Sequence, residues 1–338
     1  MGLDSRAEAA TRKPVLITGG TGFLGGHLCE RLSLRGNRVR ALVRDPTRCA
    51  TLHQWGVETV QGDILDPASL ARAVDGCDVV YHIAGSFRHE NISDSEMWAT
   101  NLQGTRNVLD EAIKHGVRRV VHCSTIGVHG NILHPPANEH TPYEPRDRYQ
   151  ESKAQADRLA LRYGAEGRLQ VVVFRPAGIY GPRDLRFLKL FKAIQRGRFV
   201  MPGAGTVHYH MIYIDDLLDG IVLCGAKEEA AGNVYILAGQ APCTLNELVA
   251  VIATVLDVPR PRHHVPYLPA YLLAWLCEIL CKPFGLKPPL YRRRMEFFRN
   301  TRWFDISKAK KELGFQPQID LKTGIRQTAE WYRSQGLL

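Results

Sequence analysis

Two periods of apolar and polar positions alternate over about the first 175 residues. "KPVLITGG" carries a short apolar run ending in glycines, the pattern of a strand buried on both faces of a parallel sheet. "FLGGHLCERLSLRG" then changes to helical spacing and closes at Gly36. "RVRALVRD" reads as a second strand and "ASLARAVDG" as a helix. "CDVVYHIAG" is a strand ending in small residues, and "SEMWATNLQGTRNVLDEAIKHG" is one long helix stopped by Gly116. "RRVVHCST" and "LQVVVFRP" are further strands, with a helix around Tyr149 between them. "GNVYILAG" reads as one more strand returning to the sheet.

Strands alternating with helices predict an α/β fold with a doubly wound parallel sheet. The expected organisation is a flexible tail over 1–13, a dinucleotide-binding domain over 14–182 plus about 212–240, and a smaller substrate lobe from 183–211 and 241–338. In the lobe, "TLNELVAVIATVL" opens with Thr244 and Glu247 spaced as a capping box.

Ligands of such sheets bind outside the carboxyl ends of the strands. "LITGGTGFLGG" places Gly20-x-Gly22-x-x-Gly25, and also Gly19-x-x-Gly22-x-x-Gly25, between a strand and a helix. Glycines there let the backbone approach a pyrophosphate, and the helix start offers it free N–H groups. At the end of the second strand an acid would hold the ribose of NAD, whereas an arginine accommodates the 2′-phosphate of NADP. Arg44 takes that position and Asp45 follows, so NADP is expected, with NAD as the alternative. Asp63, after the short strand "VQG", is placed to accept from an adenine amino group or to close a turn.

Bulk properties narrow the class. Apolar residues make up 45% and charged residues 23%, an ordinary globular balance. The net charge of +10 would suit anionic partners, but no zinc-finger spacing or aromatic RNA-binding motif accompanies it, so no nucleic acid is expected. Eight scattered cysteines lack a C-x-x-C pair and predict neither a metal site nor a disulfide scaffold. Residues 1–13 have no apolar h-region, which predicts a cytoplasmic protein.

In "RDRYQESKAQADRL" Tyr149 and Lys153 fall one turn apart on the same helix face. Alone the pair is also an ordinary surface spacing. Here it follows a strand ending in Ser124-Thr125 and lies downstream of the glycine loop. The ordered set "TGGTGFLG", "GDI", "HIAG", "TNLQGT", "CSTIGVHG", "YQESK" and "RPAGIYGP" resembles the extended short-chain dehydrogenases/reductases of the epimerase/dehydratase superfamily. The resemblance implies Tyr149 as proton donor and acceptor. It implies Lys153 as the residue that holds the ribose hydroxyls and lowers the phenol pKa, and Thr125 as the hydroxyl that binds the substrate oxygen. It implies cofactor contacts at Gly19, Thr21, Gly22, Phe23, Leu24, Gly25, Asp63, Ile64, Ala84, Gly85, Asn101, Pro176 and Ile179, and substrate contacts at Ser86, Gly178 and Tyr209. A homodimer, formed through the helices carrying Asn101 and Tyr149, is also implied.

Three departures bear on the substrate. Dehydratases of this family have an Asp-Glu pair after the catalytic hydroxyl; here Ile126 and Gly127 follow Thr125. Nucleotide-sugar epimerases usually carry an asparagine where this chain has Gly178, and an arginine where "GAGTVHYHMIYIDDL" offers Tyr209 and His210. Losing that clamp removes charge-assisted bonds a diphosphate needs. "RPAGIYGPRD" resembles the 3β-hydroxysteroid and sterol-4-carboxylate dehydrogenases. The expected activity is hydride exchange with a hydrophobic, steroid-like alcohol or ketone. A nucleotide-sugar epimerase and a non-catalytic cofactor-sensing protein are the alternatives. "VPYLPAYLLAWLCEILCKPFGL" predicts an apolar helix over about 269–281, and Lys282 to Arg302 hold seven Lys/Arg against one acid. This stretch reads as core, as a pocket lid, or as a peripheral membrane contact over 269–302.

Overall fold

The computed structural model describes residues 13–338 except 88–91, 285, 287, 289 and 290. The tail expected over 1–13 lies, apart from Lys13, outside the described residues. Seven strands form one sheet: β1 (Val15–Thr18), β2 (Val39–Val43), β3 (Glu58–Gln61), β4 (Val79–His82), β5 (Arg119–Cys123), β6 (Gln170–Pro176) and β7 (Val234–Leu237). Their order is β7-β6-β5-β4-β1-β2-β3, and every neighbouring pair is parallel.

Strand alternation divides the core between two faces. Leu16, Val80, Val120 and Val171 point to one face, where Leu70, Val108, Leu109 and Leu159 meet them. Those partners come from helices Pro67–Val74 (α1), Gly104–Lys114 (α2) and Arg148–Ala165 (α3). Ile17, Tyr81, Val121 and Phe174 point to the other face, against Leu28, Leu217, Leu218 and Ile221. Those four belong to helices Phe23–Leu34 and Ile214–Ala226. On this side the core continues through helix Leu245–Leu256, which opens with the expected Thr244/Glu247 capping box, into the C-terminal helix Leu321–Ser334. Each large aliphatic side chain fully buried in these layers contributes about 1.5–3 kcal/mol.

The strand order reverses between β1 and β4, which opens a crevice at their carboxyl ends. Gly19 lies in that crevice at φ +78°, and a Cβ there would sit 2.8 Å from the Ala84 nitrogen. The chain can pass only as glycine, so the two loops that frame the crevice touch.

Two elements differ from the expected pattern. The long helix before Gly116 is interrupted by a π-turn over Ala99–Gln103, where the Thr105 hydroxyl donates to the Asn101 carbonyl at 2.6 Å. π-turns of this kind often occur at functional sites. The apolar helix near the C-terminus spans Tyr267–Cys281, and among its described residues Ala274 alone is fully buried. It is therefore not core. Its apolar positions run all around the helix, and one neighbouring helix can cover only one side. No helix among the described residues is long and apolar enough to cross a membrane.

Candidate active site

The glycine loop forms a tight cradle. Gly22 N donates to Gly19 O at 3.0 Å, and a Cβ on Gly25 would lie 2.1 Å from that same oxygen. Helix Phe23–Leu34 starts at Gly22 with no side-chain cap and no acid in its first turn. Its first N–H groups and its positive end are therefore left for an anion. Thr21 and Phe23 are half-buried at the loop, whereas Leu24 is buried and presents only backbone to it. Ile64 likewise turns its side chain into the core, against the flat face of Gly104, and its carbonyl accepts from Asn107 at 2.9 Å. Asp63 closes a turn by accepting from Leu65 N at 2.9 Å, while Asp66 caps α1.

At the end of β2, Arg44 is exposed. Asp45 accepts from both Thr47 N (3.0 Å) and Thr47 Oγ1 (2.6 Å), capping a turn of 3₁₀ helix. The Thr47 hydroxyl holds this carboxyl below its ordinary pKa, with the Thr47 amide acting in the same sense. Its acceptor capacity is thus partly committed to its own turn.

A chain of hydrogen bonds with one proton order runs from the cradle to the π-turn. Thr105 donates to Asn101 O, so it accepts from His82 Nε2 at 3.0 Å. His82 Nδ1 must then accept from Thr18 Oγ1 at 2.8 Å, and Thr18 in turn accepts from Ala84 N at 3.1 Å. His82 is neutral in this arrangement; burial first, then the Lys153 charge, lowers its pKa to about 3.

Asn101 clamps the loop after β4 onto the helix α3. Its Oδ1 accepts from Ser86 N at 2.7 Å, and its Nδ2 donates to Ser86 O at 3.1 Å and to Ser152 Oγ at 2.9 Å. Ser152 then donates to Tyr149 O at 2.8 Å. The pinned loop meets both residues of the helical pair. The Phe87 ring stands edge-on to Tyr149 at 5.1 Å, and a Cβ on Gly85 would lie 3.3 Å from Asn101 Oδ1 and 3.9 Å from Lys153 Nζ. Lys153 is buried and donates to Cys123 O at 2.6 Å, at the carboxyl end of β5. Burial lowers its pKa from the ordinary value, offset in part by Cys123 and Asp157.

The two hydroxyls at the end of β5 have different surroundings. Ser124 is buried and donates to Asp157 at 2.7 Å. Asp157 also accepts from Tyr143 OH (3.0 Å) and Arg175 Nε (2.9 Å), a fully buried ion pair with its acceptors filled. Arg175 donates in turn to His129 Nε2 at 3.1 Å, which fixes His129 as the neutral Nδ1–H tautomer donating to Pro142 O. Thr125 is half-buried; its oxygen accepts from Gly127 N at 3.1 Å, which leaves its proton to donate elsewhere.

Beyond the end of β6, Gly178 packs beneath Tyr209. A Cβ on Gly178 would lie 2.8–3.0 Å from two ring carbons and the phenol oxygen of Tyr209. Tyr209 is held by the edge of Phe297 at 4.7 Å and by the Arg302 guanidinium at 5.7 Å. Pro176 ends β6, and Ile179 O accepts from Arg186 at 2.9 Å. Arg186 also forks onto Asp184 at 2.8 and 2.9 Å, lies over the Phe23 ring at 5.4 Å, and interacts electrostatically with Tyr209 and Tyr149. Sequence spacing pointed to neither Phe87, Phe297 nor Arg186. The "PRD" segment was the one local signal near Arg186.

These features suit a bound dinucleotide: a glycine cradle that a Cβ would fill, an uncapped helix start, and a buried Ser86 hydroxyl with no hydrogen-bond partner. Among the described residues no His/Cys/Asp/Glu group could hold a metal ion. Residues 15–238 match the profile of the NAD dependent epimerase/dehydratase family. The chain belongs to that family. It is thereby an oxidoreductase of the extended short-chain dehydrogenase/reductase type. It is 29% identical to "3beta-hydroxysteroid-dehydrogenase/decarboxylase isoform 1" of Arabidopsis thaliana, over 95% of this chain and 80% of that protein. It is 30% identical to "N-acetyl-alpha-D-glucosaminyl-diphospho-ditrans,octacis-undecaprenol 4-epimerase" of Escherichia coli O157:H7, over 94% of each. The crystal structure of gox2253 superposes with a TM-score of 0.80 at 28% identity, over 97% of this chain and all of that one.

Proposed function

We propose that this family member is an NADPH-linked reductase of a hydrophobic, steroid-like ketone, acting in reverse on the corresponding alcohol. The observation that carries the substrate class is the Tyr209 ring, which fills the space an amide side chain at position 178 would need. The site wall there is aromatic instead of a diphosphate clamp. The steroid-related relative supports the same class.

The cradle at Gly19, Gly22 and Gly25 would hold the pyrophosphate, and Arg44 the 2′-phosphate, with Asp45 engaged by Thr47. Asp63 would take the adenine amino group through its remaining carboxylate oxygen. When bound, the nicotinamide supplies or accepts the hydride. The chain's own residues manage the proton. Thr125 donates to the carbonyl oxygen and fixes its position. Tyr149 gives its proton to that oxygen as the new C–H bond forms, and takes it back in the reverse direction. A phenol ordinarily titrates near about 10; Lys153 lies one turn along the same helix and Arg186 interacts electrostatically with Tyr149, and cationic charge of this kind would favour the phenolate that forms as the proton leaves. The Phe87 ring stands against Tyr149 and would help to orient the phenol. We take the helices carrying Asn101 and Tyr149 as the contact of a homodimer; a monomeric mass in solution would refute that assignment.

The test is loss of reduced-nicotinamide absorbance across hydrophobic ketones and UDP-sugars. The reading expects turnover with the ketones and NADPH preferred over NADH. Interconversion of a UDP-sugar with no net consumption of NADPH would establish the epimerase instead. No turnover of any substrate, with NADPH bound, would leave the cofactor-sensing role.

A further inference from the structure

Helix Tyr267–Cys281 leaves a broad apolar surface in the open. Leu268, Leu272, Trp275, Leu276, Ile279 and Leu280 are each 42–63% exposed. Positions 268, 272, 276 and 279 line one face, and the others widen it around the helix. Phe284 and Leu286 continue the surface at 76% and 63% exposure. A contiguous patch of this kind marks a site of interaction.

Charge indicates what covers it. Residues 257–302 hold nine Lys or Arg against three acids, a net +6 of the chain's +10. Arg292 and Arg299 are exposed and contact the helix at Glu278 and Tyr267, and Arg260 and Arg262, just before it in the chain, are also exposed. Glu278, the helix's one acid, is taken up by Arg292, which donates to it from N (2.8 Å) and Nε (2.7 Å). The surface is apolar in the middle and cationic at its rim.

We propose that this helix lies flat on an anionic lipid bilayer, with its leucines among the acyl chains and the arginines at the headgroups. Fifteen residues span about 22 Å at about 1.5 Å each, short of the about 30 Å a spanning helix needs, so the helix lies in the interface. A second copy of the chain suits the patch poorly. Two-fold symmetry would press one basic rim against another. The docked face also leads to the active site. Arg299 lies over the Tyr267 ring at 5.8 Å, Phe298 meets Phe297 at 5.3 Å, and Phe297 meets Tyr209 at 4.7 Å. These contacts join the docked face to the aromatic wall at Gly178, which would set an apolar substrate site on the bilayer side of the molecule. That step rests on the proposed function; the docking itself does not.

The test is co-sedimentation of the full-length chain with vesicles, either pure phosphatidylcholine or with about one third phosphatidylglycerol, at low and high salt. Leu272→Ser/Leu276→Ser/Ile279→Ser removes apolar contact from exposed positions, and NADPH binding reports that the variant is folded. The expected result is binding to the anionic vesicles that weakens at least about tenfold with neutral lipid, high salt or the triple variant. Absence of binding at every composition, or equal binding by the variant, would overturn the proposal. So would a wild-type dimer that the triple variant splits while vesicles are ignored. Docking with no ketone reductase activity would refute the apolar substrate site and leave the docking standing.

Discussion

Gly178→Ala is the sharpest probe of the substrate wall. The position has ordinary backbone angles, so the added methyl acts only through space. That methyl would stand 2.8, 2.9 and 3.0 Å from Cε1, Oη and Cζ of Tyr209. At such distances the ring must move. Overpacking of this kind costs about 1–3 kcal/mol, and a displaced ring also gives up part of an aromatic contact worth about 0.5–1.5 kcal/mol with Phe297. At about 2 °C per kcal/mol for a large chain, Tm should fall by about 2–6 °C. A wall displaced at this point should raise KM for a hydrophobic ketone about tenfold, equal to about 1.4 kcal/mol, with NADPH affinity unchanged. The control is the same substitution in a Tyr209→Ala background. There the colliding atoms are gone, and Gly178→Ala should have almost no effect on Tm. Calorimetry on the four proteins gives the coupling energy directly. Equal destabilisation in both backgrounds, or silence in both, would refute the claim that Gly178 exists to seat Tyr209.

Other outcomes follow from the same geometry. Burial first of all lowers the pKa of His27, His129 and His210 to about 4 and of His82 to about 3. Below about pH 6.5 the unfolded chain takes up protons that the folded chain refuses, so stability should fall as pH drops from there towards about 4. Near pH 5 each site removes about 2 kcal/mol, and together they rival a whole domain's stability of about 5–15 kcal/mol. Urea titrations at several pH values should show this loss, and a flat profile down to pH 5 would contradict it. Arg44→Ala should raise KM for NADPH by about 10–100-fold, a charged hydrogen bond's worth, and leave NADH unaffected; an equal effect on both would remove the 2′-phosphate assignment. Thr125→Val should cut kcat by about 10²–10³. Ser124→Ala should instead lower stability by about 1–3 kcal/mol, by stripping a donor from the buried Asp157, with kcat nearly intact. The reverse pattern would exchange the roles of the two hydroxyls.

Local chemistry made much of this site readable from the chain. The glycines of "TGGTGFLG" sit between a strand and a helix because the backbone must pass close to Ala84, and that need is visible as residue type and spacing. Tyr149 and Lys153 are one helical turn apart by arithmetic. The buried strands show as apolar runs because both faces of the sheet are covered. Phe87 and Arg186 come to the site from loops and Phe297 from a turn of 3₁₀ helix, Glu296–Phe298, whose positions depend on tertiary packing, so no local period marks them. The π-turn at Asn101 lies inside an otherwise regular helical pattern, and its apolar spacing does not mark it. The helix Tyr267–Cys281 has the composition of core, yet it stands at the rim of the molecule. Composition reports how much apolar surface a segment carries, and the surroundings decide whether protein covers it.

The central claim is that Tyr149 passes the proton while the glycine cradle holds NADPH. Tyr149→Phe removes one oxygen and leaves the ring against Phe87. Measured side by side, kcat for ketone reduction should fall by at least about 10², the share of a general acid, while the Kd for NADPH stays within about threefold of wild type. Retention of most of the turnover by Tyr149→Phe, with NADPH still bound, would contradict the account.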